Sequence, residues 1–549
     1  MIGSYSFKNF KLDLFSGLIV SLISLPLAMS FAISAGLSPE YGLYASIIGG
    51  AVTAIFGGSD SNIADAPGNV IAIMVGIMIQ FGYDGVILAT LMAGIILIFA
   101  GFFKIGKLVQ FVPSPVILGF TAGIGVIILS TQLGNIFGIT DLDKFAYFHQ
   151  NIIEFVSKLD GMSWAPLGIT LLTIVFIEGS RHLTPKLPSA LVGVVLSSAI
   201  VWAFQLDVLT IKEAFGAIPQ TLPNIYIPLV SFERIVGLFP AALAIAALGV
   251  LETLLTAIAS DAMTGKRHNS DKELVGLGLG NIASALFGGL SVCGVISRTT
   301  LNVKSGAQTR MAAVFKSLFI LSSMLFLAPL VEQIPLVALA GILVVVSVKM
   351  IDLEQAAQLY LHHERSDFIL FLITFFLTVF VSLTMGIAVG MAFASLVFLQ
   401  RMSEDTVSHT TIERKGETSK FQTSPEQNKC KHLSIYTIKV PLFFGTSRSI
   451  IRTLSDLIPN EALIIRLASV KAMDASGMQA LREILELHSL KNKVYLSGVT
   501  KELKATLTKL GIVDTIGADH VFEKTRFAIN KALKDQGLEK GCEAYHIMK

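Results

Sequence analysis

Charged residues are scarce in this 549-residue chain, and their scarcity excludes most classes of soluble protein. Asp, Glu, Lys and Arg make up 15% of the residues, against about 25% in soluble globular domains. Hydrophobic residues make up 53% of the chain and are concentrated in repeated long runs. This pattern predicts a polytopic protein embedded in a lipid bilayer. The net charge of +3 is not gathered into a basic patch, so nucleic acid is not expected as a partner.

Cysteine is also rare, which excludes a disulfide scaffold and a thiolate metal site. The three cysteines, Cys293, Cys430 and Cys542, show neither pairing nor metal-ligand spacing. A Walker loop, a dinucleotide fingerprint and a nucleophile–base pair are missing from the sequence as well. We therefore expect no enzyme activity and no bound cofactor. No A-x-A-like cleavage pattern follows the first apolar run, which we interpret as a membrane span and not as a signal peptide.

The apolar segments form two consecutive sets of seven, separated by a long polar segment at residues 205–233. The first set is predicted at about 14–35, 41–56, 65–81, 85–103, 115–137, 164–179 and 188–204. The second set is predicted at about 235–260, 273–287, 295–306, 311–330, 336–348, 367–383 and 386–399. Seven is an odd number, so the second set starts from the opposite side of the membrane. The fold prediction is an all-α membrane domain of fourteen elements in a seven-plus-seven inverted repeat.

Basic residues between the spans predict the orientation in the membrane. With the N-terminus inside, the inner ends carry most of the Lys and Arg, including Lys104, Arg181, Lys266 and Lys316. The outer ends carry four: Lys144, Lys158, Lys212 and Arg234. Positive charge accumulates on the cytoplasmic side. We therefore expect a multi-pass protein of the bacterial inner membrane with both termini in the cytoplasm.

Hydrophobicity falls sharply after Met402, where a second kind of domain is predicted. The domain prediction is a transmembrane transport domain at 1–402, a polar linker at 403–431 and a cytoplasmic α/β domain at 432–549. Within the last region, strands at about 433–440, 462–467, 494–497 and 521–522 alternate with helices at about 447–458, 474–488 and 501–510. Such alternation is typical of a mostly parallel or mixed sheet with helices packed against it.

The third and tenth elements hold equivalent places in the two sets, and both are short and interrupted by Gly or Pro. In residues 291–310, a β-like piece precedes a turn at Gly294 and a helix start at Ser297 and Arg298. An arginine at membrane depth is costly, so we expect it to face a protein cavity and bind something. The third element begins at about Asp65, with Pro67 and Gly68 near its start. Two facing helix N-termini offer free N–H groups and positive dipole ends, which suit an anion near the membrane midplane.

The whole chain resembles the SulP (sulfate permease) family of anion transporters, whose animal relatives include prestin and pendrin. The segments that carry the resemblance are DLFSGLIVSLISLPLAMSFAISAGLSPEYGLYASIIGG, ASDAMTGKRHNSDKELVGLGLGN and SVCGVISRTTLNVKSGAQTR. The C-terminal region resembles a STAS domain through SIYTIKVPLFFGTS and IIRLASVKAMDASGMQAL. The resemblance implies a core and a gate domain that move by an elevator-like step, and a homodimer that involves the STAS domain.

Several site residues follow from the resemblance. Ser297 and Arg298 match the Ser-Arg pair that lines the anion site in many relatives. The backbone turn before this pair matches Gly294, Val295 and Ile296. The start of the third element would face this turn near the centre of the membrane. We therefore expect substrate contacts from Pro67, Gly68 and Asn69 too.

Acidic residues near this site have more than one interpretation. Glu252 matches a position that binds or couples a cation in some relatives, and Thr256 lies one turn further on the same face. The coupling ion would be H⁺ or Na⁺, and a structural pair is the alternative role of Glu252. Asp65 departs from the family pattern. It is interpreted as the N-cap of the third element, as a partner of Arg298, or as a proton or cation ligand.

Ser476 is the candidate regulatory residue of the STAS region. It occupies the place where bacterial anti-sigma-factor antagonists are phosphorylated. Its alternative role is to cap the helix that starts after Asp474.

The predicted function is secondary active transport of a small anion, with the lipid bilayer and the anion as partners. Sulfate, bicarbonate, chloride and small carboxylates are the candidate substrates. Alternatives are a nucleobase-type proton symporter of the same inverted architecture, a channel-like anion conductor, and a regulatory sensor whose STAS domain signals.

Overall fold

A computed structural model describes most of the chain. The described residues are 5–106, 112–139, 141–142, 145, 148–183, 188–221, 223–362, 365–409, 411–413, 433–438, 442–443, 446–447, 450–451, 462–468, 470, 473–489, 493–509 and 511–537. The chain divides into two compact units, Met1–Ala394 and Ser395–Lys549.

The unit Met1–Ala394 holds the apolar helices and is called the membrane unit. Its first half begins with a long helix, α1 (Phe7–Ser34). Helix α2 (Pro39–Tyr44) continues through a π-helical turn (Ala45–Gly49) into α3 (Gly50–Phe56). A two-residue strand then precedes a long helix and six further helices. These are β1 (Ala64–Asp65), α4 (Ile71–Phe102), α5 (Ser114–Thr131), α6 (Leu133–Phe137), α7 (Phe148–Ser157), α8 (Trp164–Leu183), α9 (Ser189–Phe204) and α10 (Ile211–Phe215).

The second half repeats this order, with a two-residue strand ahead of a short helix. Its elements are α11 (Phe232–Thr264), α12 (Ser270–Leu286), β2 (Cys293–Gly294), α13 (Ile296–Lys304), α14 (Met311–Phe326), α15 (Ala328–Val331), α16 (Leu336–Ile351), α17 (Leu353–His362), α18 (Arg365–Phe380) and α19 (Leu383–His409). Among the described residues, six helices are long and apolar enough to cross a membrane, and α9 and α14 are shorter apolar helices.

The third predicted element begins later than the sequence indicates. Ala64 and Asp65 are extended because they pair with β2, and α4 starts only at Ile71 with Val70 at its N-cap. The interpretation of Asp65 as a helix cap is therefore wrong. The third and fourth predicted segments are one interrupted helix, whose backbone breaks at Gly82 with φ +68°. Glycine accepts this left-handed value without steric cost.

Helix packing separates the membrane unit into two groups. In one, α4 packs against α11 and α12, and α1 packs against α14. In the other, α5 packs against α16 and α18, and α8 packs against α9 and α16. The first group holds both interrupted segments, so it is the core, and the second group is the gate.

The C-terminal unit is an α/β fold around a five-stranded sheet. Its strands lie in the order β3 (Thr411–Glu413), β4 (Leu433–Thr437), β5 (Ala462–Arg466), β6 (Lys493–Ser497) and β7 (Val521–Phe522). Strand β3 is antiparallel to β4, and the other pairs are parallel. Buried side chains on both sheet faces contact the helices α20 (Ala475–Ser489), α21 (Lys501–Lys509), α22 (Ile512–Ile516) and α23 (Thr525–Asp535).

Two predicted segments meet the edge of the described residues. In the stretch predicted as linker, α19 continues to His409 and β3 joins the sheet, whereas 414–431 lie outside the described residues. The predicted helix at 447–458 also falls largely outside them.

Candidate functional site

The two interrupted segments of the core meet as an antiparallel strand pair. Ala64 lies opposite Gly294, and Asp65 lies opposite Cys293. A further backbone bond joins Val295 N–H to the Ile63 carbonyl at 3.0 Å. Because the two halves are inverted, the strands run in opposite directions, and the helices α4 and α13 start on either side of the crossing.

Strand β2 is fixed by two threonines of α11. The Thr253 hydroxyl accepts from Gly294 N–H at 2.8 Å, and the Thr256 hydroxyl donates to the Gly294 carbonyl at 3.3 Å. A Cβ atom at Gly294 would lie 2.8 Å from Thr253 Cα, so only glycine fits. The geometry therefore gives Thr256 a backbone contact, while its predicted role in ion coupling stays a prediction.

Arg298 lies in the first turn of α13 and is 1% exposed. A guanidinium has five N–H donors, yet the acceptor of Arg298 among the described residues is the Ala66 carbonyl alone, at 3.0 Å from Nη1. Its Nε lies 3.3 Å from Asp65 Oδ2 without hydrogen-bond geometry. The Phe31 ring covers the guanidinium at 5.8 Å. Arg298 therefore contacts Asp65 and still has donors available for a ligand.

Asp65 is fully buried between two cations. Its Oδ2 lies 3.3 Å from Arg298 Nε and 3.5 Å from Lys316 Nζ. Its Oδ1 accepts from the Ala66 N–H at 3.0 Å and from the Ser46 hydroxyl. Three interpretations of Asp65 were open, and the geometry agrees with the one in which Asp65 forms an ion pair with Arg298.

Lys316 is not at the inner membrane surface, where the charge pattern of the sequence assigned it. The residue is fully buried within α14. Its Nζ donates to the carbonyls of Ser46 at 3.1 Å and Ala64 at 3.3 Å. The assignment of Lys316 as a surface charge is wrong because its position on α14 faces Asp65. A lysine is buried among apolar residues only when its charge is paired, and Asp65 provides that pair.

The loop that precedes α4 brings an amide to the same place. Pro67 and Asn69 are buried, and Gly68 is half-buried with its Cα facing the Phe31 ring. The Asn69 side chain lies beside the Glu252 carboxyl, but neither its Oδ1 nor its Nδ2 is within hydrogen-bond geometry of an atom of the described residues. Buried polar atoms are normally hydrogen-bonded, so the Asn69 amide is a candidate to contact a ligand.

Glu252 occupies the middle of α11 and lines a cavity of about 370 Å³. The remaining lining is mostly apolar and comes from α4, α5, α11 and α19. Within the described part of the chain, no basic side chain forms an ion pair with Glu252. The Glu252 carboxyl therefore has no basic partner within the described residues, while the Asn69 side chain lies beside it. Its role in ion coupling stays a prediction.

The start of α13 presents its remaining predicted residues differently. Ser297 and Ile296 are exposed, and Val295 is half-buried at the N-cap position. The N–H groups of Ile296, Ser297 and Arg298 are the first in the helix and have no intrahelical acceptor. Helix N–H groups in this position attract negative charge.

Ser476 lies apart from this site, in the C-terminal unit. The helix α20 starts at Ala475, and the Gly477 N–H donates to Asp474 Oδ1 at 2.8 Å. Asp474 is thus the capping residue, and the capping role suggested for Ser476 is wrong. Phosphorylation of the half-buried Ser476 stays a prediction.

Sequence reasoning missed Lys316 and Ser46 as members of the site. A signal for Lys316 was present, because Ala313, Lys316, Ser317 and Ile320 recur at helical spacing and share the buried face of α14. Ser46 had no comparable signal. Its place follows from the π-helical turn between α2 and α3, a distortion that is frequent at functional sites.

Inverted repeats with interrupted helices that meet near a buried charge define a class of membrane proteins, the secondary transporters. Residues 10–374 match the Sulfate permease family, and residues 424–528 match the STAS domain. The chain therefore belongs to the sulfate permease family, and it carries a C-terminal STAS domain.

Relatives agree with this assignment, and a solved structure has the same fold. The chain is 36% identical to "Putative sulfate transporter YvdB" of Bacillus subtilis, over 94% of this chain and 97% of that protein. It is 27% identical to the bicarbonate transporter BicA of Picosynechococcus, over 96% and 95%. The structure of murine Slc26a9, titled an anion transporter in the inward-facing state, matches with a TM-score of 0.82 at 20% identity, over 97% and 93%. The relatives are named as transporters, as expected for a chain that is not an enzyme.

Proposed function

We propose that this chain is a secondary active transporter of small anions that binds its substrate at the crossing of β1 and β2. The observation that carries the proposal is a cluster of buried polar atoms at this crossing that make no hydrogen bond within the described residues, among them Arg298 Nε and both amide atoms of Asn69. A cation with spare donors beside two helix N-termini is suited to an anion.

The proposed substrates are sulfate, bicarbonate, chloride or a small carboxylate. Named relatives include sulfate and bicarbonate transporters, which supports an inorganic oxyanion first. In this proposal, Arg298 and the N–H groups of Ser297 and its neighbours bind the anion, and Asn69 completes the opposite side. Oxyanions accept several hydrogen bonds at once, which matches a guanidinium and adjacent N–H donors.

Coupling to a proton is the proposed energy source, with Glu252 as the group that carries it. Its cavity and the lack of a basic partner within the described residues support this role. Sodium is the second candidate ion. Transport would proceed by an elevator-like movement of the core along the gate, in line with the packing of the membrane unit into two helix groups.

The cellular setting is part of the same proposal. The protein would lie in the bacterial inner membrane with both termini in the cytoplasm, as the uneven distribution of basic residues suggests. It would act as a homodimer, with the STAS domain contributing to the dimer.

Exchange of Arg298 for glutamine tests the anion site. The change removes the guanidinium group and its unused N–H donors, while Asp65 keeps its ion pair with Lys316. The Asp65 carboxylate is therefore not left without a counter-charge, and the core is expected to stay folded. In proteoliposomes, uptake of radiolabelled sulfate and bicarbonate is expected to fall at least about a hundredfold, since a charge-assisted contact of about 3 kcal/mol is lost.

The matched control is Arg267→Gln, because Arg267 is exposed and lies outside the site. Equal uptake by the Arg298 and Arg267 variants would refute the assignment of the site. Competition by uracil would point instead to a nucleobase symporter, and unitary currents in planar bilayers would point to a channel.

A further inference from the structure

Lys316 is a buried cation that the proposed anion site does not yet use. It lies on α14, whereas Asp65 and Arg298 lie on the two crossing segments. All three side chains are at most 1% exposed. Lysine is almost never fully buried unless it is paired, so the role of Lys316 depends on what its ammonium group contacts.

The ammonium group of Lys316 is held by oxygen atoms of the protein. It carries three N–H donors. Two of them donate to Ser46 O at 3.1 Å and Ala64 O at 3.3 Å, and Asp65 Oδ2 lies 3.5 Å away in an ion pair without hydrogen-bond geometry. The chain also makes room for it, because a Cβ atom at Gly50 would lie 2.8 Å from Nζ. Lys316 is therefore held in place opposite Asp65.

Arg298 shows the opposite balance of donors and acceptors. Among the described residues, one hydrogen bond, to Ala66 O, uses one of its five donors, and its contact with Asp65 lacks hydrogen-bond geometry. Asp65 Oδ2 faces both cations at similar distances. Within the group formed by Asp65, Arg298 and Lys316, two positive charges face one negative charge, so one positive charge is in excess.

We propose that Lys316 is the counter-ion of Asp65 and thereby a positioning residue for anion binding. Lys316 offsets the negative charge of Asp65, so the positive charge and the unused N–H donors of Arg298 remain available to the substrate. The net positive charge favours an anion over a neutral solute of similar size. This inference rests on the proposed anion-transport function and assigns the source of its charge selectivity.

The test compares Lys316→Met with the double variant Asp65→Asn/Lys316→Met. Methionine keeps much of the side-chain volume but no charge, so Asp65 then pairs with Arg298 alone. The KM for radiolabelled sulfate uptake into proteoliposomes is expected to rise about tenfold, while the maximal rate per folded transporter changes less than about threefold. The double variant restores the net charge, and its KM is expected within about threefold of the wild type.

Each outcome supports or overturns the inference. An unchanged KM in Lys316→Met overturns it, and so does a double variant as impaired as the single one, because a packing defect is not rescued by charge. If Lys316→Met does not elute as a folded protein in size-exclusion chromatography, Asp65→Asn decides. This variant adds a positive charge, so its KM is expected to fall, and an unchanged or higher KM overturns the inference.

A comparison with Arg298→Gln separates this inference from the proposed function. Loss of uptake in Arg298→Gln together with an unchanged KM in Lys316→Met removes the role of Lys316 and leaves the anion site standing. Full uptake in Arg298→Gln, or wild-type protein that takes up neither sulfate nor bicarbonate, overturns the proposed function and this inference with it.

Discussion

At the scale of single residues, the centre of this membrane protein depends on how few charges are buried there and on how each is paired. Asp65 contacts two cations, whereas Glu252 contacts none among the described residues. Removal of one partner from a buried ion pair is usually costly, because the other charge remains without compensation. Asp65 thus has the setting of a fixed charge, and Glu252 has the setting of a group that exchanges an ion.

Glu252→Gln is expected to uncouple uptake from the proton gradient. The carboxamide keeps the size and the neighbouring Asn69 but cannot bind and release a proton. Stimulation of sulfate uptake by an inward pH gradient is expected to disappear, while exchange of internal for external sulfate continues. The measurement is the initial uptake rate in proteoliposomes with and without the gradient.

Glu233→Gln serves as the control on the same helix, because Glu233 is exposed in the first turn of α11. A Glu252 variant that still responds fully to the pH gradient would exclude this residue as the coupling group. Dependence of wild-type uptake on sodium would replace the proton as the coupling ion.

At the scale of elements, two-residue strands determine where the half-helices begin. Strand β2 is held by Thr253 and Thr256 of α11 through both polar backbone groups of Gly294. Buried backbone groups in a membrane protein must be paired within the protein. The strand pair and the two threonines therefore provide hydrogen-bond partners for the non-helical backbone before α13. This backbone determines where α13 begins and hence where Arg298 lies.

Gly294→Ala is expected to destabilise the membrane unit by about 1–3 kcal/mol, because an added methyl group overpacks a filled site. Its Cβ would lie 2.8 Å from Thr253 Cα and 2.9 Å from Asn62 Nδ2. The measurement is the thermal unfolding temperature of purified protein in detergent, together with sulfate uptake, which should fall as β2 shifts.

Gly168→Ala is the matched control, since a Cβ atom there meets nothing within 4 Å and the position lies inside α8. This control should leave stability unchanged or raise it by about 0.5–1 kcal/mol through helix propensity. Equal unfolding temperatures for both variants would contradict the close contact between β2 and α11.

At the scale of the whole molecule, the two units have separate hydrophobic cores. The main membrane cluster draws all its residues from α1 through α19, and the C-terminal clusters draw theirs from the strands and helices after β3. Among the described residues, each unit therefore has a hydrophobic core of its own, and a boundary near α19 permits truncation.

A chain that ends at His409, the last residue of α19, is expected to fold and to run as a monomer, while the full chain runs as a dimer. The reason is that the proposed dimer depends on the STAS domain. Multi-angle light scattering after size-exclusion chromatography measures both masses. If the truncated chain is still a dimer, the dimer interface lies in the membrane unit. If the truncated chain transports at the full rate, a signalling role for the STAS domain is favoured.

Sequence alone determined the class of fold and the family, since long apolar runs, their inverted count and the family motifs are local or periodic features that need no contacts to recognise. The sequence also placed Arg298 at the start of a half-helix, because the turn at Gly294 directly precedes it and an arginine at membrane depth must face a protein cavity. The tertiary structure decided the pairing: Asp65 lies in a strand and not in a cap, and Lys316 lies beside it although 251 positions separate them in the chain. Contacts between residues so distant depend on how the helices pack, which helical periodicity alone does not specify.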